Sequence, residues 1–149
     1  MTIEWKELDR TAIDQYLDLL GDLDAQNRLP VNKAPQLLNR LNDYPYYKIY
    51  GLFDAAQLIA SYTLIILDNF GHGGKKIAIV ENVVVAGAAR GQGIGKKMMQ
   101  DAMRRAAKQN CYKLMLASDI KRSGAHAFYE KLGFEQHGMS FRTEVKADD

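Results

Sequence analysis

A chain of 149 residues, 47% hydrophobic and 26% charged, has ordinary globular composition and enough length to bury its own core. Twenty Lys and Arg against 18 Asp and Glu leave a net charge of +2, too little to argue for a nucleic-acid or membrane-surface partner. The longest apolar stretch, Leu58 to Leu67, is about half a membrane span, and charged Glu4, Lys6, Glu7, Asp9 and Arg10 read against a secretion signal.

Taken in order, Thr2 to Leu8 alternates apolar and charged residues and predicts a short strand. Asp9 is placed to cap a helix carrying Ile13, Tyr16, Leu17 and Leu20. Asp24 to Lys33 lacks periodicity and reads as a loop. A second short helix is expected around Leu37, Leu38 and Leu41, ending before Pro45. Tyr47 to Phe53 and Leu58 to Leu67 are β-branched and aromatic runs separated by Asp54–Gln57, which predicts a hairpin. A turn rich in glycine (Gly71, Gly73, Gly74) leads to a third run, Ile77 to Val85, completing an antiparallel meander.

The pattern then becomes helical from about Gly93 to Gln109, with Ile94, Met98, Met99, Ala102, Met103 and Ala106 on one face. A strand at Tyr112–Ala117, a helix at Gly124–Leu132 and a last strand at Met139–Val145 complete the order. The strands at 77–85 and 112–117 flank a helix and are expected to be parallel. The sum is a mixed α/β sheet in one domain spanning residues 1–149, with no linker or repeat.

The most informative segment runs from Val83, Val84 and Val85 through Arg90, Gly91, Gln92, Gly93, Ile94, Gly95 and Lys96. A strand ends and a helix begins with glycines at alternate positions. Free N–H groups at a helix start, unobstructed by Cβ atoms and flanked by Arg90 and Lys96, suit a diphosphate. Neither familiar phosphate loop fits. A Walker A loop ending at Gly95–Lys96 needs glycine at 90 and Ser or Thr at 97, where the chain has Arg90 and Lys97. A dinucleotide fingerprint starting at Gly91 needs glycine where Lys96 stands.

Arg90–Gly95 resembles the R/Q-x-x-G-x-G/A signature of the GNAT superfamily of N-acetyltransferases. Downstream, Phe128-Tyr129-Glu130-Lys131-Leu132-Gly133-Phe134 is similar to that family's FYxxxGF segment, and the order of elements is similar as well. The resemblance spans nearly the whole chain. It implies a GNAT fold with a sheet of about six to seven strands and about four helices. It also implies acetyl-CoA as co-substrate, direct acetyl transfer to a primary amine in a ternary complex, and a homodimer. The backbone of Val83 and Val85 would pair with the pantetheine arm, and the turn from Arg90 to Lys96 would hold the pyrophosphate. Arg122 stands where many members carry a cofactor-contacting Asn.

Thioester aminolysis requires deprotonation of the ammonium, donors for the oxyanion and an acid for the leaving thiolate. Glu81 shares a strand face with Val83 and Val85 by simple alternation, and a carboxylate there is costly unless paired or used. The resemblance makes it the base, directly or through water, and makes Tyr129 the acid; each has a packing or structural alternative. His72, His126 and His137 show no metal-ligand spacing, so no metal is expected. Lone Cys111 permits no intrachain disulfide, reads as a packing residue and suits a reducing cytoplasm.

Two further stretches share a theme. His72–Gly74 with Ile79–Val85 and Asn110–Lys113 is similar to glucosamine-phosphate N-acetyltransferases. Lys121–Arg122 with Ala125-His126, Phe128-Tyr129 and Glu135-Gln136 is similar to aminoalkylphosphonate N-acetyltransferases. Both imply a small amine bearing a phosphoryl anion, for which Lys75, Lys76, Lys121 and Arg122 are available. The competing expectations are a protein or peptide N-acetyltransferase and a non-catalytic acyl-CoA sensor.

Overall fold

The computed structural model describes residues 3–118 and 121–146. Its backbone divides into two units, the first ending at Leu116 and the second starting at Ala117. The first unit holds a five-stranded sheet of order β1 (Ile3–Glu7), β2 (Tyr47–Asp54), β3 (Gln57–Leu67), β4 (Lys76–Val85) and β5 (Cys111–Met115). The first four strands are antiparallel neighbours, and β5 joins β4 in parallel, as the meander and crossover pattern predict.

Asp9 caps as its sequence position suggests, accepting from the Thr11 N–H at 2.9 Å. What it caps is a 3-10 turn, Arg10–Ala12, which runs into α1 (Ile13–Leu20). Helix α1 buries Ile13, Tyr16, Leu17 and Leu19. Its Gln15 grips the β2–β3 hairpin from both sides of the amide, accepting from the Leu58 N–H at 2.8 Å and donating to the Ala56 carbonyl at 3.1 Å. Helix α2 (Ala34–Leu41) starts with Pro35 in its first turn, where a missing N–H costs nothing. Between β3 and β4 lies one turn, α3 (Gly71–Gly74), in which His72 takes a left-handed φ of 49° and stacks on Tyr112 with ring centres 4.0 Å apart.

Helix α4 (Ile94–Lys108) buries Ile94, Met98, Met99, Ala102 and Ala106, five of the six expected apolar positions. Met103 instead lies at the surface, and Asp101 is inside at 1% exposure. A buried carboxylate needs strong partners. Tyr62 Oη, fully buried on β3, donates to Asp101 Oδ2 at 2.5 Å, and Arg105 Nε donates to the same oxygen at 2.9 Å; Arg104 donates to the other. The Arg105 guanidinium lies 3.8 Å from the centre of the Tyr50 ring, and Tyr50 packs on Tyr62 at 5.5 Å. Burial, with the Asp101 carboxylate beside it, holds the Tyr62 hydroxyl far above its ordinary pKa, and Asp101 raises that of Arg105.

Two expectations are corrected. Met139–Val145 forms no strand: it joins no ladder, and Met139, Phe141 and Val145 are 80%, 86% and 93% exposed. Alternation supplies one apolar face, but a strand also needs a partner backbone for its N–H and C=O groups. The described sheet therefore has five strands, fewer than the six to seven expected, and the described residues form five α-helices counting the single turn α3.

Asp101→Ala leaves Arg105 half-buried beside Tyr62 without its counter-charge and is expected to lower unfolding free energy by about 3 kcal/mol. Tyr62→Phe, which leaves both arginines on Asp101, should cost about 1 kcal/mol. Urea denaturation measures both; an Asp101→Ala loss no larger than that of Tyr62→Phe overturns this assignment.

Candidate functional site

Strand β4 is irregular where the chemistry is expected. Thr63 pairs with Glu81, but Ser61 pairs with Val84, so Asn82 and Val83 together oppose the single residue Tyr62. Asn82 absorbs the extra residue at a φ of 51°, the left-handed region that asparagine tolerates better than β-branched neighbours would. This bulge changes which side chains share a face. Glu81 lies on the face of Val84, while Val85 points to the other, so the simple alternation of Glu81, Val83 and Val85 does not hold. Glu81 is also exposed, so water rather than a partner offsets the cost of its charge, and it makes no ion pair among the described residues.

The β4–β5 ladder ends at Ile79 and Met115. From Val80 to Val85 the β5 side of β4 has no ladder partner among the described residues of the first unit, leaving backbone donors and acceptors available to an extended ligand. At the far end of that edge a short 3-10 turn (Gly87–Ala89) leads to Arg90, whose Nε donates to the Val85 carbonyl at 3.2 Å and ties the turn back to the strand. Gln92 Nε2 donates to the Ala88 carbonyl at 3.3 Å.

Gly91 and Gly93 have φ of 78° and 75°. No protein atom lies within 4 Å of where a Cβ would stand at either, so the space beside them is open. Glycine is required by the backbone conformation there and not by crowding. No side chain caps α4 and its first turn holds no acid, so the amides at Ile94, Gly95 and Lys96 point outward at a positive helix end with Arg90 and Lys96 exposed beside them. Uncapped amides, open space and two cations suit an anion such as a pyrophosphate. Thus Val83, Val84, Val85, Arg90, Gly91, Gln92, Gly93, Ile94, Gly95 and Lys96 are gathered at one end of β4. Of these, Val84 and Ile94 have buried side chains and serve the turn as core anchors.

The second unit carries α5 (Ser123–Lys131), which contains Tyr129. The motif around it is a helix stop. Gly133 takes a φ of 94°, its N–H donates to the Glu130 carbonyl at 3.0 Å, and the Phe134 N–H reaches back to the Tyr129 carbonyl at 3.1 Å. This is the Schellman arrangement, and its usual apolar contact is the edge-to-face pair of Tyr129 and Phe134, ring centres 5.7 Å apart. The spacing of Tyr129, Gly133 and Phe134 thus follows from terminating a helix. Burial raises the pKa of the half-buried Tyr129 hydroxyl, and the positive charge of exposed Arg122 draws it partly back. Tyr129 therefore holds its proton at neutral pH.

Lys75 and Lys76 stand at the start of β4, Lys121 and Arg122 before α5. Among the described residues no three His, Cys, Asp or Glu side chains gather as a metal would require. Burial raises the pKa of the Cys111 thiol, which makes it a weak nucleophile. The bulge at Asn82 and the burial of Asp101 escaped the sequence reading; the available signals were an Asn inside a valine-rich strand and an Asp on an apolar helix stripe. No described helix is long and apolar enough to cross a membrane.

Comparison with known proteins bears on the family and the fold. The family model "Acetyltransferase (GNAT) family" matches residues 10–134. A glucosamine 6-phosphate N-acetyltransferase from Trypanosoma brucei brucei is 29% identical over 147 residues, 96% of each chain. Among solved structures, a Trypanosoma brucei acetyltransferase superposes with a TM-score of 0.85 at 27% identity, covering 97% of this chain and 100% of its own. A glucosamine-6-phosphate N-acetyltransferase from Arabidopsis thaliana reaches a TM-score of 0.86 over 98% and 100% of the chains; at 21% identity it speaks for the fold alone.

A spectrophotometric titration of the parent against Tyr129→Phe should show that the difference belongs to a tyrosine ionising above the ordinary value of 10. Because the folded form then holds a proton that the unfolded form has lost, this residue's contribution makes stability fall as pH rises past 10. A difference curve centred at or below 10 overturns the burial argument.

Proposed function

Since the chain belongs to the GNAT acetyltransferase family and is an N-acetyltransferase, we propose that it acetylates the primary amine of a small phosphorylated amino sugar, with acetyl-CoA as donor. The observation that carries the donor assignment is the coincidence of an open strand edge and an uncapped, glycine-lined helix start at one end of β4. The phosphorylated amino sugar is supported by the relative from Trypanosoma brucei brucei, which is similar over 96% of both chains. Residues 1–149 act as one domain in this reading, since the family match spans both units.

Acetyl-CoA, when bound, supplies the acetyl group activated as a thioester. Amides of the turn from Gly91 to Lys96 hold the pyrophosphate, with Arg90, Lys96 and Arg122 supplying positive charge. The backbone edge of Val83, Val84 and Val85 lines the pantetheine arm. Glu81 takes a proton from the acceptor ammonium, directly or through a water, and its exposure supports access to both. Tyr129 Oη gives its proton to the departing sulfur, a role supported by its place in the segment that resembles the family's FYxxxGF motif. Transfer is direct, from thioester to amine in a ternary complex, as the family membership supports.

Release of free thiol from acetyl-CoA is the test. With glucosamine 6-phosphate, kcat/KM should exceed that for polyamines and peptide N-termini by at least about tenfold, or ~1.4 kcal/mol. Tyr129→Phe should lower kcat by about 10²-fold with acetyl-CoA affinity unchanged, and Glu81→Gln should lose most at low pH, where the amine is most protonated. A polyamine or peptide that wins by tenfold overturns the acceptor, and acetyl-CoA binding without turnover of any amine marks a sensor.

The enzyme works in the cytoplasm as a homodimer in this reading, supported by exposed Met139, Phe141 and Val145, which a second copy would cover. Sedimentation at micromolar concentration should give twice 16.8 kDa; a species of 16.8 kDa alone refutes it.

A further inference from the structure

On the sheet face that carries Glu81, a cavity of about 350 Å³ opens between the 3-10 turn after β1, helix α2 and the start of β2. That volume is in the range of small-molecule sites, ~300–1,000 Å³. Leu8, Leu38 and Ile49 make its floor apolar, and Arg10, Asn39, Asn42 and Tyr47 bring polar groups to its rim.

Strand register fixes where this cavity stands relative to the expected chemistry. Tyr47 pairs with Ile65, which pairs with Ile79; Ile49 pairs with Thr63, which pairs with Glu81. The cavity is therefore level with Ile79–Glu81 and on Glu81's face. The glycine turn follows Val85, four to six residues farther along β4, or about 13–20 Å at ~3.3 Å per residue. Glu81 lies between the two. Tyr47 belongs to both neighbourhoods: it lines the cavity, and burial together with the negative charge of Glu81 raises its pKa.

The chemistry of the rim is specific. Two carboxylates line the cavity but are engaged, Glu7 with Lys48 at 3.3 Å and Asp9 with Thr11. The side chains of Asn39, Asn42 and Arg10 make no hydrogen bond among the described residues. Each amide offers two donors and an acceptor, the complement of vicinal hydroxyls. Arg10 offers a forked donor to a phosphate. An apolar floor beneath such a rim matches a sugar ring, whose faces are C–H and whose edge is hydroxyl.

We propose that this cavity receives the polyhydroxylated body of the acceptor, Asn39 and Asn42 reading its hydroxyls, Arg10 its phosphate, and Tyr47 forming the wall that turns its amine toward Glu81. The inference rests on the amino-sugar reading above and adds where and by what the sugar is recognised. Donor and acceptor then approach Glu81 from opposite ends of β4.

The test is Asn39→Ala/Asn42→Ala, both exposed positions on or next to α2, with Asn42→Trp as a blocking variant. Steady-state KM for glucosamine 6-phosphate and its equilibrium Kd, measured by titration calorimetry with CoA present, should each rise at least about tenfold in the double variant. Asn42→Trp should abolish sugar binding. Acetyl-CoA affinity and melting temperature should stay at parent values in both, which separates recognition from misfolding. Sugar KM and Kd within about twofold of the parent in both variants overturn the proposal, as does a loss that acetyl-CoA affinity shares. A parent enzyme that acetylates only amines without hydroxyls fails the amino-sugar reading itself, a different result from unchanged constants on a sugar it does turn over.

Discussion

The hydrogen bond from Tyr62 to Asp101 couples the two elements of the candidate site in the first unit, the irregular strand and the glycine-lined helix start. Tyr62 is the β3 residue opposite the β4 bulge, and Asp101 is two turns into the helix whose N-terminus carries the glycine turn. Fixing one to the other sets the height of the helix start against the irregular strand. The low dielectric around both groups makes the bond strong and its loss costly. Arg105 closes the arrangement from the same helix, one turn on, and extends it through Tyr50 to β2. A polar cluster in the core thus does the work of register, which apolar side chains alone define poorly because they slide.

That cluster also divides what the sequence discloses from what it withholds. Strand positions at β2, β3 and β4 were legible because period-two and turn chemistry are local properties. The helix at 94–108 was legible because its glycines and apolar stripe coincide. The bulge was not, because it is a relation between two strands: only pairing Thr63 with Glu81 and Ser61 with Val84 leaves Asn82 and Val83 facing one partner. The place of Asp101 inside was hidden for the same reason, since its partner Tyr62 is 39 residues away. The segment 139–145 shows the converse error, an alternation that is real in the sequence and has no backbone beside it to pair with. For Tyr129, the motif was visible as letters, and the structure supplies the cause of the Gly133–Phe134 spacing in the helix stop.

In the candidate site, each element does one electrostatic or steric task. The helix start provides a fixed positive end that needs no rearrangement to meet an anion. The early end of the β4–β5 ladder exposes peptide groups in a row. Strand β4 runs regularly as far as Glu81, which lies in line with Ile49 and Thr63, and the bulge after it resets the faces of Val83, Val84 and Val85. Had β4 stayed regular past Glu81, Val84 would have pointed to the opposite face, away from the core cluster of Leu8, Tyr16 and Leu58 that it joins.

The side of Val80–Val85 that has no ladder partner among the described residues of the first unit is also a hazard, because an open β-branched edge can template another chain into a growing sheet. This edge is blunted from within. Glu81 puts a charge on it, and the kink at Asn82 breaks the straight run of hydrogen-bonding groups that a foreign strand would need. The same irregularity that turns Val84 into the core therefore interrupts this edge against a foreign strand. Replacing Asn82 with valine would leave four valines in a row from residue 82 to 85, and with them a surface better suited to aggregation whenever no ligand lies along it.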